Sequence, residues 1–150
     1  MGNVYRSVNL FKQLKFRQQI IFNNKKILII NDSKSTNFHS VSSASERVNN
    51  ALLIMHGITK NISTSELQLS NEIKKIIIPE DMKLDQNLFH CEVEVIKSIF
   101  ELEDILKKDF QRFETVLFSC GGSSFNDFEN YFARGKFFKS IVKNIKGGEN

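Results

Sequence analysis

At 150 residues, with 41% hydrophobic and 25% charged residues, one proline and seven glycines, the chain is long enough for one domain with a real core and too short for several. That composition excludes a disordered or collagen-like main state. The 21 basic residues exceed the 17 acidic ones by four, but the lysines are scattered as pairs such as Lys25-Lys26, Lys74-Lys75 and Lys107-Lys108, not gathered into the basic face that a nucleic-acid partner needs. No apolar run approaches the roughly 20 residues of a membrane-spanning helix, and Met1 to Arg6 lead into no signal-type apolar stretch. The expectation is a cytoplasmic chain with neither a membrane nor a nucleic-acid partner.

Cys91 and Cys120 lack a CxxC partner, so two reduced thiols are expected and no disulfide or zinc site. His90 adjoins Cys91, while His39 and His56 stand without a second ligand at helical spacing, so no metal site is expected.

Along the chain, Lys26 to Ile30 is a continuous branched apolar run, the pattern of a strand buried on both faces. It gives way to polar Asn31-Asp32-Ser33. Residues 37 to 49 carry Val41, Ala44, Ser45 and Val48 at helical spacing, with Thr36 or Asn37 as N-cap. Ala51 to Met55 reads as a second buried strand, followed by a turn at Gly57. A short helix fits residues 65 to 71, and Lys75 to Ile78 is a third strand closed by Pro79. Glu92 to Val95 alternates like a strand, and Ser98 with Glu101 forms a capping box opening a helix through Lys108. Thr115 to Phe118 is the last strand, Ser119 to Ser124 a loop, and residues 126 to 145 a long closing helix with Phe128, Phe132, Phe138, Ile141 and Ile145 as its buried stripe.

Strands alternating with helices predict an α/β fold: a doubly wound, mainly parallel sheet with helices on both faces and right-handed crossovers. Ligands of such sheets bind beyond the carboxyl ends of the strands. Three loops occupy that place: residues 31 to 37, 56 to 61 and 119 to 125. On composition alone Lys34 reads as a solvated loop lysine beside an Asx-type turn. Its place between a strand and a helix N-terminus, with Lys60 after the next strand and Ser123-Ser124 in the third loop, also suits a small anion. Neither GxxxxGK[ST] nor GxGxxG occurs. Cys120 has no visible partner for a nucleophilic role, and the aromatic residues Phe125, Phe128, Tyr131, Phe132, Phe137 and Phe138 follow the spacing of a packing face.

The stretch Ile30-Asn31-Asp32-Ser33-Lys34-Ser35-Thr36-Asn37 resembles the (I)NDSKATN signature that opens the C-terminal domain of the Mur ligases adding D-glutamate. Leu117 to Gly135 resembles the same family's closing motif LLSPACASFDxFxNFxxRG, in the right order and at the right separation. Leu53 to Lys60 is similar to the family's strand, Gly-Gly turn and lysine, and Leu14-Lys15-Phe16-Arg17 to its Leu-Pro-His-Arg entry segment. Residues 65 to 95 match only in pattern. The sequence departs from the motifs at Cys120-Gly121-Gly122, which replaces Pro-Ala-Cys, at Ile58, where an acidic residue is usual, and at Phe16, which replaces a histidine.

The resemblance implies a Rossmann-like domain of a cytoplasmic peptidoglycan ligase, which uses ATP and Mg2+ to form an acyl phosphate on UDP-N-acetylmuramoyl-L-alanine for attack by D-glutamate. By motif position it assigns Lys34 to the transferred phosphoryl or acyl-phosphate oxygens. Arg17, Asn31 and Asp32 fall to the nucleotide, and Thr36, Lys60, Ser124, Phe125 and Tyr131 to D-glutamate. It also implies that the family's UDP-binding and ATPase domains have no counterpart in residues 1–150, which form a single domain. The partners expected are then D-glutamate, UDP-N-acetylmuramoyl-L-alanine through the other domains, and those domains as separate chains; neither ATP nor Mg2+ is expected to bind tightly to this chain alone. The alternative is a free-standing, non-catalytic remnant that serves as a binding or interaction module.

Overall fold

The computed structural model describes residues 15–59 and 62–146. Six strands form one sheet: β1 (Gln19–Asn23), β2 (Leu28–Asp32), β3 (Ala51–His56), β4 (Ile73–Pro79), β5 (Glu92–Ile96) and β6 (Thr115–Gly121). Their spatial order is β1-β2-β6-β3-β4-β5. Only β1 runs antiparallel, against β2; the other pairings are parallel. Among the described residues three α-helices pack on the sheet, α1 (Phe38–Ser45), α2 (Leu102–Asp109) and α3 (Tyr131–Lys146). The doubly wound, mainly parallel α/β architecture is the one expected.

Both sheet faces are apolar because successive strand residues point to opposite sides. Leu28, Ile30, Leu53, Met55, Ile76 and Leu117 pack with α1 residues Phe38, Val41 and Ala44. Ile29, Leu52, Ile54, Ile77, Val116 and Phe118 pack with Leu102 and Leu106 of α2 and Phe138, Ile141 and Val142 of α3. The rings of Phe118 and Phe138 stack at 4.3 Å, so the central strand is tied to the closing helix.

Several boundaries differ from the sequence reading. The edge strand β1 has no counterpart in it. The expected helix over residues 65 to 71 is a single 3-10 turn, Thr64–Glu66, because the next amides bond to α1 serines: Gln68 N–H to Ser42 Oγ at 2.9 Å and Ser70 N–H to Ser45 Oγ at 3.1 Å. Local helix loses to these tertiary bonds. Helix α1 begins after the Asn37 cap, whose side chain accepts from Ser40 N–H. It stops at Ser45 instead of residue 49, its end closed by Glu46 N–H to Ser43 O and Arg47 N–H to Ala44 O. The Ser98/Glu101 capping box is present, but it opens a 3-10 turn, Ile99–Glu101, before α2.

Strands β2 and β6 run longer than their apolar cores suggest. Asn31 pairs with Phe118 and Asp32 with Ser119 in register, so Asn31, Asp32, Ser119, Cys120 and Gly121 are strand residues, not loop residues. Helix α3 starts five residues later than residue 126. Asn130 caps it by accepting from Ala133 N–H at 2.8 Å, while the Ser124 carbonyl takes the amides of Asp127 and Phe128 in a separate turn. Phe128 therefore lies outside the helix whose stripe it was expected to join. Among the described residues no helix is long and apolar enough to cross a membrane.

Candidate functional site

Because β6 lies between β2 and β3, the segments leaving all three strands emerge side by side at one end of the sheet. They are then stitched together. Ile58 and Ser123 form an antiparallel bridge with both N–H to O distances at 2.9 Å, and Gly121 N–H donates to Ser35 O at 3.1 Å. Gly57, at φ +125, lies so close to Gly122 and Ser123 that a Cβ would sit 2.4 Å from the Ser123 carbonyl oxygen. This backbone-to-backbone approach is available only to glycine.

The centre of the stitching is a residue to which the sequence reading assigned no role. Arg134, on the first turn of α3, is 0% exposed. Its Nε donates to Ser33 Oγ at 3.1 Å, one terminal nitrogen to Ser33 O at 2.7 Å and Ser35 O at 3.4 Å, and the other to Gly122 O at 2.8 Å and to His56 O and Nδ1, both at 3.2 Å. One guanidinium thus touches the ends of β2, β3 and β6, a task for the rigid fork of arginine. Among the described residues no carboxylate lies within 4.0 Å of it. Gly135 beside it is also forced: a Cβ there would lie 2.4 Å from the buried Phe16 ring. The sequence signal for this hub is the Arg134-Gly135 pair that ends the closing motif, to which no role was assigned.

A cleft of about 500 Å³ meets this hub at Ser35 and is lined by Arg17, Asp32, Lys34, Thr36 and Tyr131, five of the residues assigned from the motifs, with Gln18 and His39 among its other walls. A smaller cavity of about 260 Å³ shares Thr36 and adds Ile58, Ser123 and Phe125. Ser124 is buried beneath these loops. Lys60 lies outside the described residues. Asn31 lines neither cavity: its Nδ2 donates to Gly135 O at 2.9 Å and its Oδ1 accepts from Ser33 N–H at 3.3 Å, so its amide ties β2 to α3.

Asp32 is 3% exposed; its carboxylate accepts from Gln18 N–H at 3.0 Å and from Ser119 Oγ at 2.7 Å. Burial pushes its pKa up to about 6, against those two hydrogen bonds and the charges of Arg17 and Arg134. A carboxyl raised in the folded state contributes most at low pH, and that contribution is lost as pH rises through about 6. Asp32→Asn, which keeps an acceptor for Gln18, is therefore expected to stabilise the chain by about 2–3 kcal/mol at pH 8 and to give no gain at pH 4; urea unfolding at both pH values measures the difference.

Lys34 Nζ donates to the Tyr131 hydroxyl at 3.2 Å and lies 4.5 Å from its ring centroid, so the ammonium is held at the cleft wall by hydrogen bond and cation–π contact together. Phe100, Phe128 and Phe137 form a cluster with ring centroids 5.2–5.5 Å apart, whereas Phe125 is 73% exposed and so departs from the packing face expected of it. Both cysteines are free thiols, and burial pushes Cys120 up to about 12, leaving a neutral thiol.

No protein-family model matches the chain. It is 32% identical over 151 residues to the UDP-N-acetylmuramoylalanine--D-glutamate ligase of Hydrogenobaculum sp. (strain Y04AAS1), covering 95% of this chain and 36% of that protein. It is 33% identical over 150 residues to the ligase of the same name from Thermosipho africanus, covering 93% and 34%. The chain thus spans about a third of the length of the curated relatives it matches. Among solved structures, the MurF ligase of Thermotoga maritima in complex with ADP superposes with a TM-score of 0.58 at 12% identity, over 98% of this chain and 37% of that one; this likeness concerns the fold. Sequence relatives and fold together support a Mur ligase-like domain of the Rossmann-like, C-terminal type.

Proposed function

We propose that this domain holds D-glutamate and faces the phosphates of ATP in a cytoplasmic ligase that joins D-glutamate to UDP-N-acetylmuramoyl-L-alanine in peptidoglycan synthesis, with UDP binding and the ATPase site supplied by other domains. The observation that carries this reading is the single cleft shared by Arg17, Asp32, Lys34 and Thr36, next to a buried guanidinium that has no carboxylate within 4.0 Å among the described residues. Fixed positive charge at the ends of rigid strands suits a dianionic amino acid and a phosphoryl group.

Lys34 and Arg17 are cations suited to phosphate or carboxylate oxygens, and Asp32 can accept from a ribose hydroxyl. Thr36 supplies a hydroxyl to both cavities, and the motifs assign Lys60, Ser124 and Phe125 with it to D-glutamate. No cluster of three or more His, Cys, Asp or Glu side chains among the described residues is arranged for a metal, so Mg2+ would arrive with ATP on the ATPase domain. ATP would supply the energy for acyl activation; this chain's residues position and neutralise charge.

Mixing the chain with separately expressed UDP-binding and ATPase domains should restore ATP-dependent addition of D-glutamate. Lys34→Ala should lower that turnover by roughly a hundredfold or more, the usual cost of losing a charge-stabilising donor, without a matching loss of stability. A well-folded chain that neither binds D-glutamate nor restores turnover would instead be the non-catalytic binding module.

A further inference from the structure

His56 sits at the end of β3 with 0% exposure, between two charged side chains from distant parts of the chain. Its Nδ1 lies 3.2 Å from an Arg134 terminal nitrogen and its Nε2 lies 2.8 Å from Asp127 Oδ2. A guanidinium can only donate, so Nδ1 must carry the lone pair and Nε2 the proton, which it gives to Asp127. The imidazole thereby links a carboxylate to a guanidinium that has no direct acidic partner among the described residues. We propose that His56 is a positioning residue: its neutral imidazole, oriented by Asp127, keeps Arg134 seated against the three strand-end loops, so that protonation of His56 loosens the cleft.

Protonation would place an N–H of an imidazolium against an N–H of Arg134, two cations at hydrogen-bond distance in a buried space. The groups facing His56 act in opposition. Burial and Arg134 disfavour the proton, while Asp127, in contact, and Asp81, at longer range, favour it; burial dominates and the imidazole is held below its ordinary value. The Phe128 ring packs edge-on at 5.4 Å and adds no charge. A histidine depressed in the folded state contributes stability above its ordinary value of 6.5, and that contribution is lost as pH falls through the folded value. The loops that would open are those Arg134 holds through Ser33, Ser35 and Gly122.

The experiment is amide hydrogen exchange on the whole chain from pH 5 to 7.5, expressed as protection factors, with histidine nitrogen NMR in parallel. Wild type should show the Nε2–H tautomer at pH 7.5. Protection around residues 33–36 and 121–124 should fall severalfold toward the acid end as the His56 signal titrates. His56→Gln, which can accept from Arg134 and donate to Asp127 but cannot titrate in this range, should keep its protection level across the range. Finding the Nδ1–H tautomer, pH-independent protection in wild type, or the same pH dependence in His56→Gln would overturn the proposal. Because these readouts need no ligand, a chain that behaves as described yet fails to bind D-glutamate would refute only the substrate reading on which the cleft's use rests.

Discussion

Arg134→Met is expected to destabilise the chain by about 3–5 kcal/mol, the range seen when a buried, hydrogen-bonded charge is removed, which for a domain of this size lowers Tm by about 10 °C or more. The substitution leaves the carbonyls of Ser33, His56 and Gly122 and the Nδ1 of His56 without the donor they share, and each unsatisfied buried acceptor is costly. Arg134→Lys should recover little, because one ammonium on a flexible stem cannot reach three loops at once. The stability loss should be accompanied by loss of hydrogen-exchange protection at the ends of β2, β3 and β6, with the N-terminal ends of the same strands retaining theirs under native conditions. Uniform protection loss in both variants would show that Arg134 serves overall packing and not the site.

The second large effect is expected at the opposite end of the sheet. Lys75, its side chain 4% exposed, donates to Asp109, to Glu94 at 2.7 Å and to Glu92 at 3.2 Å, and Arg112 joins Asp109 at 3.2 Å. Lys75→Met should cost about 2–4 kcal/mol, somewhat less than a fully buried pair, because Glu92 and Glu94 remain 52% and 38% exposed and can turn to water. Asp109, only 12% exposed, bears most of the penalty. The double variant Lys75→Met/Asp109→Leu should recover most of the loss, since a buried ion pair is often replaceable by apolar packing; chemical denaturation of the two variants decides it.

The same cluster sets an acid limit. Burial alone would raise Asp109, but hydrogen bonds from Lys75 and Arg112 overcome it and hold the carboxyl below its ordinary 3.8; Glu92 is held below 4.5 chiefly by its hydrogen bond to Lys75. Carboxyls depressed in the folded state stabilise it above those ordinary values and lose the contribution as pH falls through the lower folded ones. Lys75→Met should therefore flatten the acid side of the stability profile below about pH 4.5.

Much of the site could be read from the chain because its signals are local. Lys34, Thr36 and Asp32 follow a branched apolar run directly, and a strand that stops at polar residues before a helix delivers them to one end of a parallel sheet. The residues that misled were those whose environment is made by distant partners. Asn31 has the composition of a binding loop, but extension of β2 alongside β6 buries it and spends its amide on Gly135. Arg134 carries no assigned role in the sequence, and His56 stands there as an isolated histidine; the two are 78 positions apart and Asp127 lies 71 from His56, beyond any periodicity.

Hydrophobic patterning by itself determined that the chain forms a doubly wound parallel sheet, since runs such as Leu28–Ile30 and Leu52–Ile54 are apolar on both faces and only a sheet covered on both sides buries them. Which strand lies in the middle was decided by tertiary structure alone. Seating β6 between β2 and β3 brings three loops within reach of one guanidinium, and that reach depends on contacts between residues about a hundred positions apart, which no local spacing encodes.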